Sequence, residues 1–160
     1  MYYSNTNTTE YLTKFSYIGN HINQNTNENM RNSKTDIGLL LIRVVVGITM
    51  IAFHGIPKLM GGVEGWTAIG KSMQNIGINF LPAVWGFSAG FTETVASFLL
   101  IIGLWSRPAS WLLAFTMLIA MIMHLSKGDG LSGASHAIEL MAIYIAFAIM
   151  GPGRLSVDKK

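Results

Sequence analysis

The chain has no cysteine. That excludes a disulfide framework, a thiolate nucleophile, a Cys-ligated iron–sulfur cluster and a thiol relay. Charge is scarce as well: 12% of the 160 residues are Asp, Glu, Lys or Arg, about half the roughly 25% of an ordinary soluble domain. It is also unevenly spread, because residues 1–36 hold six of the 19 charged side chains. Hydrophobic residues make up 51%, and the mean hydropathy is +0.42. So little charged surface on so small a chain excludes a soluble globular enzyme. The net charge is +3, but the basic residues come singly, with no run longer than Lys159-Lys160. A phosphate-tracking stripe is therefore missing, and no nucleic acid is expected as a partner. A small basic excess fits the loop bias of membrane proteins, which makes the lipid bilayer the first expected partner.

What is present is apolar and comes in long runs. Crossing a hydrocarbon core of about 30 Å takes roughly 20 helical residues. Four stretches answer to that length, at about 37–60, 81–105, 109–125 and 135–150. They exceed strand length and lack a two-residue alternation, so the fold class expected is all-α, an integral membrane four-helix bundle. Gly61-Gly62, Ser106-Arg107-Pro108, the Lys127–Gly133 stretch and Gly151-Pro152-Gly153 punctuate the runs, as turn-forming and helix-ending residues do. An interfacial piece is expected around Trp66–Ile76. Trp66, Trp85, Trp105 and Trp111 fall near span ends, the usual place of aromatic anchors.

Residues 1–36 are polar and rich in Asn and Thr. They cannot bury enough apolar surface to offset their ordering entropy, so they are expected as a disordered tail. No basic stretch leads into an apolar one there, as a secretory signal requires. Met30 precedes Arg31 and Lys34, a natural place for a compact membrane protein to begin. An upstream translation extension and a neutral tail are equally good readings.

Orientation follows from Lys and Arg. Lys14, Arg31, Lys34, Arg107, Arg154, Lys159 and Lys160 fall on one side, seven against Lys58, Lys71 and Lys127 on the other. Both termini are thus expected on the cytoplasmic face of a plasma membrane.

A charge inside the bilayer costs about 3 kcal/mol on insertion scales, so each one asks for a partner. Arg43 in the first span and Glu93 in the second are expected to pair, across small residues (Gly86, Ala89, Gly90, Ala96, Ser97) that admit a close neighbour. Arg43, Gly47, Met50, His54 and Lys58 share one helical face. His54 and Lys58 are expected near the outer end of the first span, His124 at the end of the third on the same side, and His136 and Glu139 at the start of the fourth. Imidazoles and a buried carboxylate suit proton relay and quinone chemistry at a membrane surface. The same residues can anchor the helices at the interface, or hold zinc or iron. Metal fits poorly: His136-x-x-Glu139 reverses the order found in di-iron bundles and occurs once. A metal or haem cofactor is not expected, and a quinone is the cofactor class left open. Met117, Met121, Met123 and Met141 read as packing rather than as copper ligands.

Several segments together resemble the DoxX family of small four-helix membrane proteins. They are Gly38-Leu-Leu-Leu-Ile-Arg43 with Gly47, then His54-Gly55-x-x-Lys58-Leu59, then Glu93, then Gly103-Leu104-x-x-Arg107. The last is Gly151-Pro152-Gly153-Arg154-x-Ser156-x-Asp158. In order and spacing they cover about residues 37–158. The resemblance implies a plasma-membrane protein and, through members that include or resemble the membrane subunit of a thiosulfate:quinone oxidoreductase, a role beside a redox enzyme. It points to Arg43, His54, Lys58, Glu93 and Arg107. His124 and His136 match no motif of the family.

The resulting expectation is a quinone-interacting or proton-relay subunit of a membrane redox complex. Glu93, His54 and Lys58 would be its reactive groups, and Arg43, His124, His136 and Glu139 its substrate contacts. Arg107, Arg154 and Asp158 are expected to be structural, capping the last helix or tying the terminal segment to the Arg107 loop. A noncatalytic scaffold and a small transporter are the alternatives. A partner subunit and a homo-oligomer are compatible with each.

Overall fold

The computed structural model describes the backbone of residues 6–158 and the side chains within it except those of 6–10, 20 and 25–32. The first five residues, Lys159, Lys160 and the side chains of Met30 and Arg31 lie outside that description. Six α-helices follow in order: α1 (Thr6–Met50), α2 (Ile56–Met60), α3 (Gly62–Gly70), α4 (Pro82–Ile102), α5 (Ser106–Lys127) and α6 (Gly130–Met150). A π-helical turn at Ile51–Gly55 joins α1 to α2, and a 3-10 turn at Lys71–Ile76 follows α3. Four helical stretches are long and apolar enough to cross a membrane: Ser33–Met60, Pro82–Ile102, Ser106–Lys127 and Gly130–Met150. The protein is an all-α membrane bundle.

Contacts divide the chain into residues 1–37 and 38–160. In the first unit, where a disordered tail was expected, the described backbone is helical from Thr6. Its described side chains at 11–19 and 21–24 are exposed, and the stretch has no core of its own.

The second unit is the bundle. Three-residue and shorter links turn α4 into α5 and α5 into α6, so α4 and α6 run opposite to α5. One end holds the start of α4 and α6 and the finish of α5 (the Pro82 end); the other holds the reverse (the Gly103 end). The core is apolar, with Met50, Leu100, Leu113, Met117, Tyr144 and Phe147 almost fully enclosed. Outward-facing Phe91, Phe98, Leu112, Phe115 and Ile149 are exposed, as lipid-facing residues would be.

Several boundaries differ from expectation, among them the start of the third span, at Ser106 inside the expected turn rather than at 109. The second span ends at Ile102, not Trp105, because Gly103 (φ +73°) closes the helix in the left-handed conformation, which a glycine adopts without strain. The fourth begins at Gly130, with Leu131–Ala134 helical rather than part of the loop.

The seam between the first span and α4 is built on glycine. A Cβ on Gly47 would strike Ile101 and approach the Ser97 carbonyl, and one on Gly55 would strike Thr94. One on Gly90 would touch Lys58 and Leu59; one on Gly86, the Trp66 backbone; one on Gly70, Pro82. From Gly47 to Gly70 the chain thus runs along α4 in the opposite direction, as far as Pro82. The first crossing continues past Met60 through α3. This places the Trp66–Ile76 piece at the Pro82 end. It also corrects the depth of Lys58: opposite Gly90, it lies about 12 Å along α4 from Pro82, well inside the bundle rather than at a span end.

Candidate functional site

The expected Arg43–Glu93 ion pair does not form. Arg43 lies against Gly103, whose added Cβ would sit 2.5 Å from Nη1, and donates through Nη2 to the Leu155 carbonyl at 2.5 Å. Gly103 is ten residues from Glu93, about 15 Å along the helix, beyond the reach of a salt bridge. Arg43 is fully buried and fastens the terminal segment instead. There Val157 and Asp158 donate their backbone N–H groups to the carbonyls of Ile102 and Gly103. The Asp158 carboxylate accepts the Ser106 N–H at 3.3 Å, at the first residue of α5. Asp158 therefore caps α5 rather than the last helix. Arg107 reaches the Ile149 carbonyl at 3.5 Å, and Ser156 donates to the carbonyls of Gly153 and Asp158. The Gly-Pro-Gly-Arg-x-Ser-x-Asp motif is a clasp across the Gly103 end.

Glu93 pairs with Lys58, Nζ to Oε1 at 2.5 Å. The carboxylate is fully buried, whereas the lysine side chain keeps 24% exposure. Glycines 55 and 90 allow this approach, because each brings the first span within backbone distance of α4 on either side of Glu93. The second carboxylate oxygen, Oε2, has no partner among the described residues.

Lys58 also lines a cavity of about 320 Å³, within the range of small-molecule sites. Its wall is mostly apolar, from Ile69, Met73, Leu112, Phe115, Ile119 and Met123. Ser72, Ser88, Thr92 and Thr116 add hydroxyls, and Trp85 adds an indole whose buried N–H has no partner. An apolar pocket with one amine and one free N–H suits an amphipathic molecule that carries carbonyl-type acceptors.

The expected outer cluster is brought together only in part. His54, carried on the π-helical turn, stacks on His136 of α6 with ring centroids 5.4 Å apart; π-turns inside helices recur at functional sites. His124 instead meets Asp129, in the adjoining loop, at 2.7 Å. Glu139 is exposed. Among the described residues no three His, Asp or Glu side chains gather as a metal site requires.

Five buried groups without a partner escaped sequence reading: the Trp85 indole N–H and the hydroxyls of Ser97, Ser106, Ser110 and Tyr144. Ser97 counted only as a small residue, although its place one turn from Glu93 was a signal. Tyr144, a phenol inside an otherwise apolar run, was another. The Tyr144 hydroxyl lies beside Ser97 and within the field of Glu93, but completes no hydrogen bond.

Comparison with known proteins agrees with this architecture. The chain is 29% identical over 127 residues to "Putative oxidoreductase CatD" of Bacillus subtilis (strain 168), covering 79% of this chain and 89% of that protein. It is 27% identical over 133 residues to "Inner membrane protein YphA" of Escherichia coli (strain K12), covering 76% and 89%. No solved structure matches. The DoxX family profile matches residues 38–125, a stretch that holds Arg43, His54, Lys58, Glu93 and the cavity wall. The chain belongs to the DoxX family.

Proposed function

We propose that the protein is a quinone-interacting subunit of a membrane redox complex, with the quinone head in the Lys58 cavity. The observation that carries this reading is the Lys58–Glu93 pair, buried on one side and open to an apolar cavity on the other. In such a site Trp85 Nε1 and Lys58 Nζ would donate to the carbonyl oxygens that a quinone offers. Glu93, with Oε2 unpartnered, holds or yields the proton that quinone reduction or quinol oxidation moves. A quinone supplies the electron-accepting chemistry; the chain supplies orientation, exclusion of water and the proton site. The name of the Bacillus relative supports an oxidoreductase context. With Lys58 inside the bundle, the basic residues split seven to two, which supports a plasma-membrane protein with both termini cytoplasmic.

The test is direct. A short-chain quinone titrated into detergent-purified protein should quench tryptophan fluorescence saturably, and Trp85→Phe should remove most of that quench. Isoprenoid quinone should also copurify, as mass spectrometry of the extract would show. A folded protein that holds no quinone and shows no saturable quench sinks the reading. The scaffold reading would then stand, supported by the clasp that Arg43 and Asp158 form at the Gly103 end.

A further inference from the structure

Buried polar atoms without a partner are rare, and each calls for an explanation, commonly a bridging water. Among the described residues this bundle has several, and they follow one another along its interior. Glu93 Oε2, Ser97 Oγ, Tyr144 Oη, Ser110 Oγ and Ser106 Oγ are all unpartnered, on side chains exposed by 1% or less. Their levels follow from helix rise. Glu93 stands about 15 Å from Gly103, and Ser97 about 9 Å. Tyr144 stands about 9 Å from the end of α6, level with Ser97, which it adjoins. Ser110 lies about 6 Å into α5, one turn from Ser106. Ser106 opens α5 at the Gly103 end, its N–H on the Asp158 carboxylate. At the other end of the series, Lys58 links Glu93 to the cavity and its hydroxyls. Packing alone does not call for such a series: alanine and phenylalanine would fill these places with no stranded hydroxyl.

We propose that Glu93, Ser97, Tyr144, Ser110 and Ser106 form a proton path between the Lys58 cavity and the Gly103 end, by which the chain conducts protons across the membrane. Each hydroxyl accepts a proton on its oxygen and passes its own to the next, with waters bridging the gaps between successive oxygens. Only O–H and N–H bonds form and break. No electron moves, so no oxidant or reductant is required. Arg43, a cation beside Gly103, disfavours excess positive charge at that mouth and keeps the flow slow.

The test uses the purified full chain in liposomes that enclose a pH-sensitive dye, with proton entry driven by a potassium diffusion potential. Wild-type vesicles should acidify measurably faster than protein-free ones. Tyr144→Phe and Ser97→Ala should each cut that excess at least tenfold while the protein stays folded, as a cooperative thermal melt shows. Ser97→Ala, the smaller change, decides the matter if Tyr144→Phe fails to fold. Wild-type vesicles as tight as protein-free ones overturn the proposal, and so does an undiminished flux in folded Ser97→Ala. No quinone enters the assay, so its result is independent of the quinone reading.

Discussion

Replacing Lys58 by Met tests how far the bundle depends on the Lys58–Glu93 ion pair. The substitution removes the ammonium 2.5 Å from Oε1 and leaves a fully enclosed carboxylate with no partner on either oxygen. Stranding one member of a buried pair costs roughly 3–5 kcal/mol. Glu93→Gln strands the other member instead, but Lys58 keeps 24% exposure in the cavity and can turn its amine toward the hydroxyls of Ser88 or Thr92. Its cost should be nearer the roughly 1–3 kcal/mol of an unsatisfied polar group. Exchange of both residues for apolar ones, Lys58→Met with Glu93→Leu, should recover most of the loss, since apolar replacement of a buried pair is often neutral or stabilising. Reversible unfolding in mixed micelles, followed by circular dichroism, of wild type, Lys58→Met, Glu93→Leu and the double variant closes the cycle and gives the coupling. Strict additivity, with the double variant as unstable as the two single losses combined, would falsify the claim that the pair acts as a unit. So would a Lys58→Met variant as stable as wild type.

Two further outcomes follow from the packing. Gly86→Ala would set a methyl 1.9 Å from the Trp66 carbonyl oxygen; backbone cannot give way as a side chain can, so α3 must leave α4. Overpacking of this kind costs roughly 1–3 kcal/mol or more, read as lower abundance and a lower Tm, and a variant with wild-type Tm would contradict the Gly86–Trp66 contact. Asp158→Ala removes the acceptor for the first N–H of α5 and should cost about 0.5–2 kcal/mol, as loss of a helix cap does. Hydrogen exchange should then rise selectively at Ser106 and in residues 151–158; unchanged protection there would show that Arg43 and the backbone bonds of Val157 and Asp158 hold the clasp without the carboxylate.

Much of the architecture was legible in the order of residues. Four apolar runs of membrane length required four helices, since backbone polar groups in lipid must be satisfied within each segment. Gly128 and Gly151 marked helix ends, and each adopts positive φ there; Gly103, read as part of the second span, closes it in the same way. The glycines of α4 announced a close neighbour, and Gly86 and Gly90 do receive one. Asp158 was read as capping the last helix or tying the terminal segment to the Arg107 loop; its carboxylate meets Ser106, beside Arg107.

Partnership was another matter. Arg43 and Glu93 were matched on depth, each counted from the end of its own apolar run. That count failed because the first crossing does not stop at Met60: α3 carries it on along α4 to Pro82, which lowers Lys58 to the level of Glu93 and leaves Arg43 about 15 Å away. Hydropathy records how much apolar chain there is, not where a glycine break lets it bend and continue. The sequence alone therefore determined class, span number and the identity of the charged groups, because these depend on local composition and periodicity. Only the tertiary structure decided that Lys58 meets Glu93, that His54 stacks on His136, and that Ser97 and Tyr144 share a level. Those pairings depend on the register between helices, which interlocking glycines and side chains set across residues far apart in the chain.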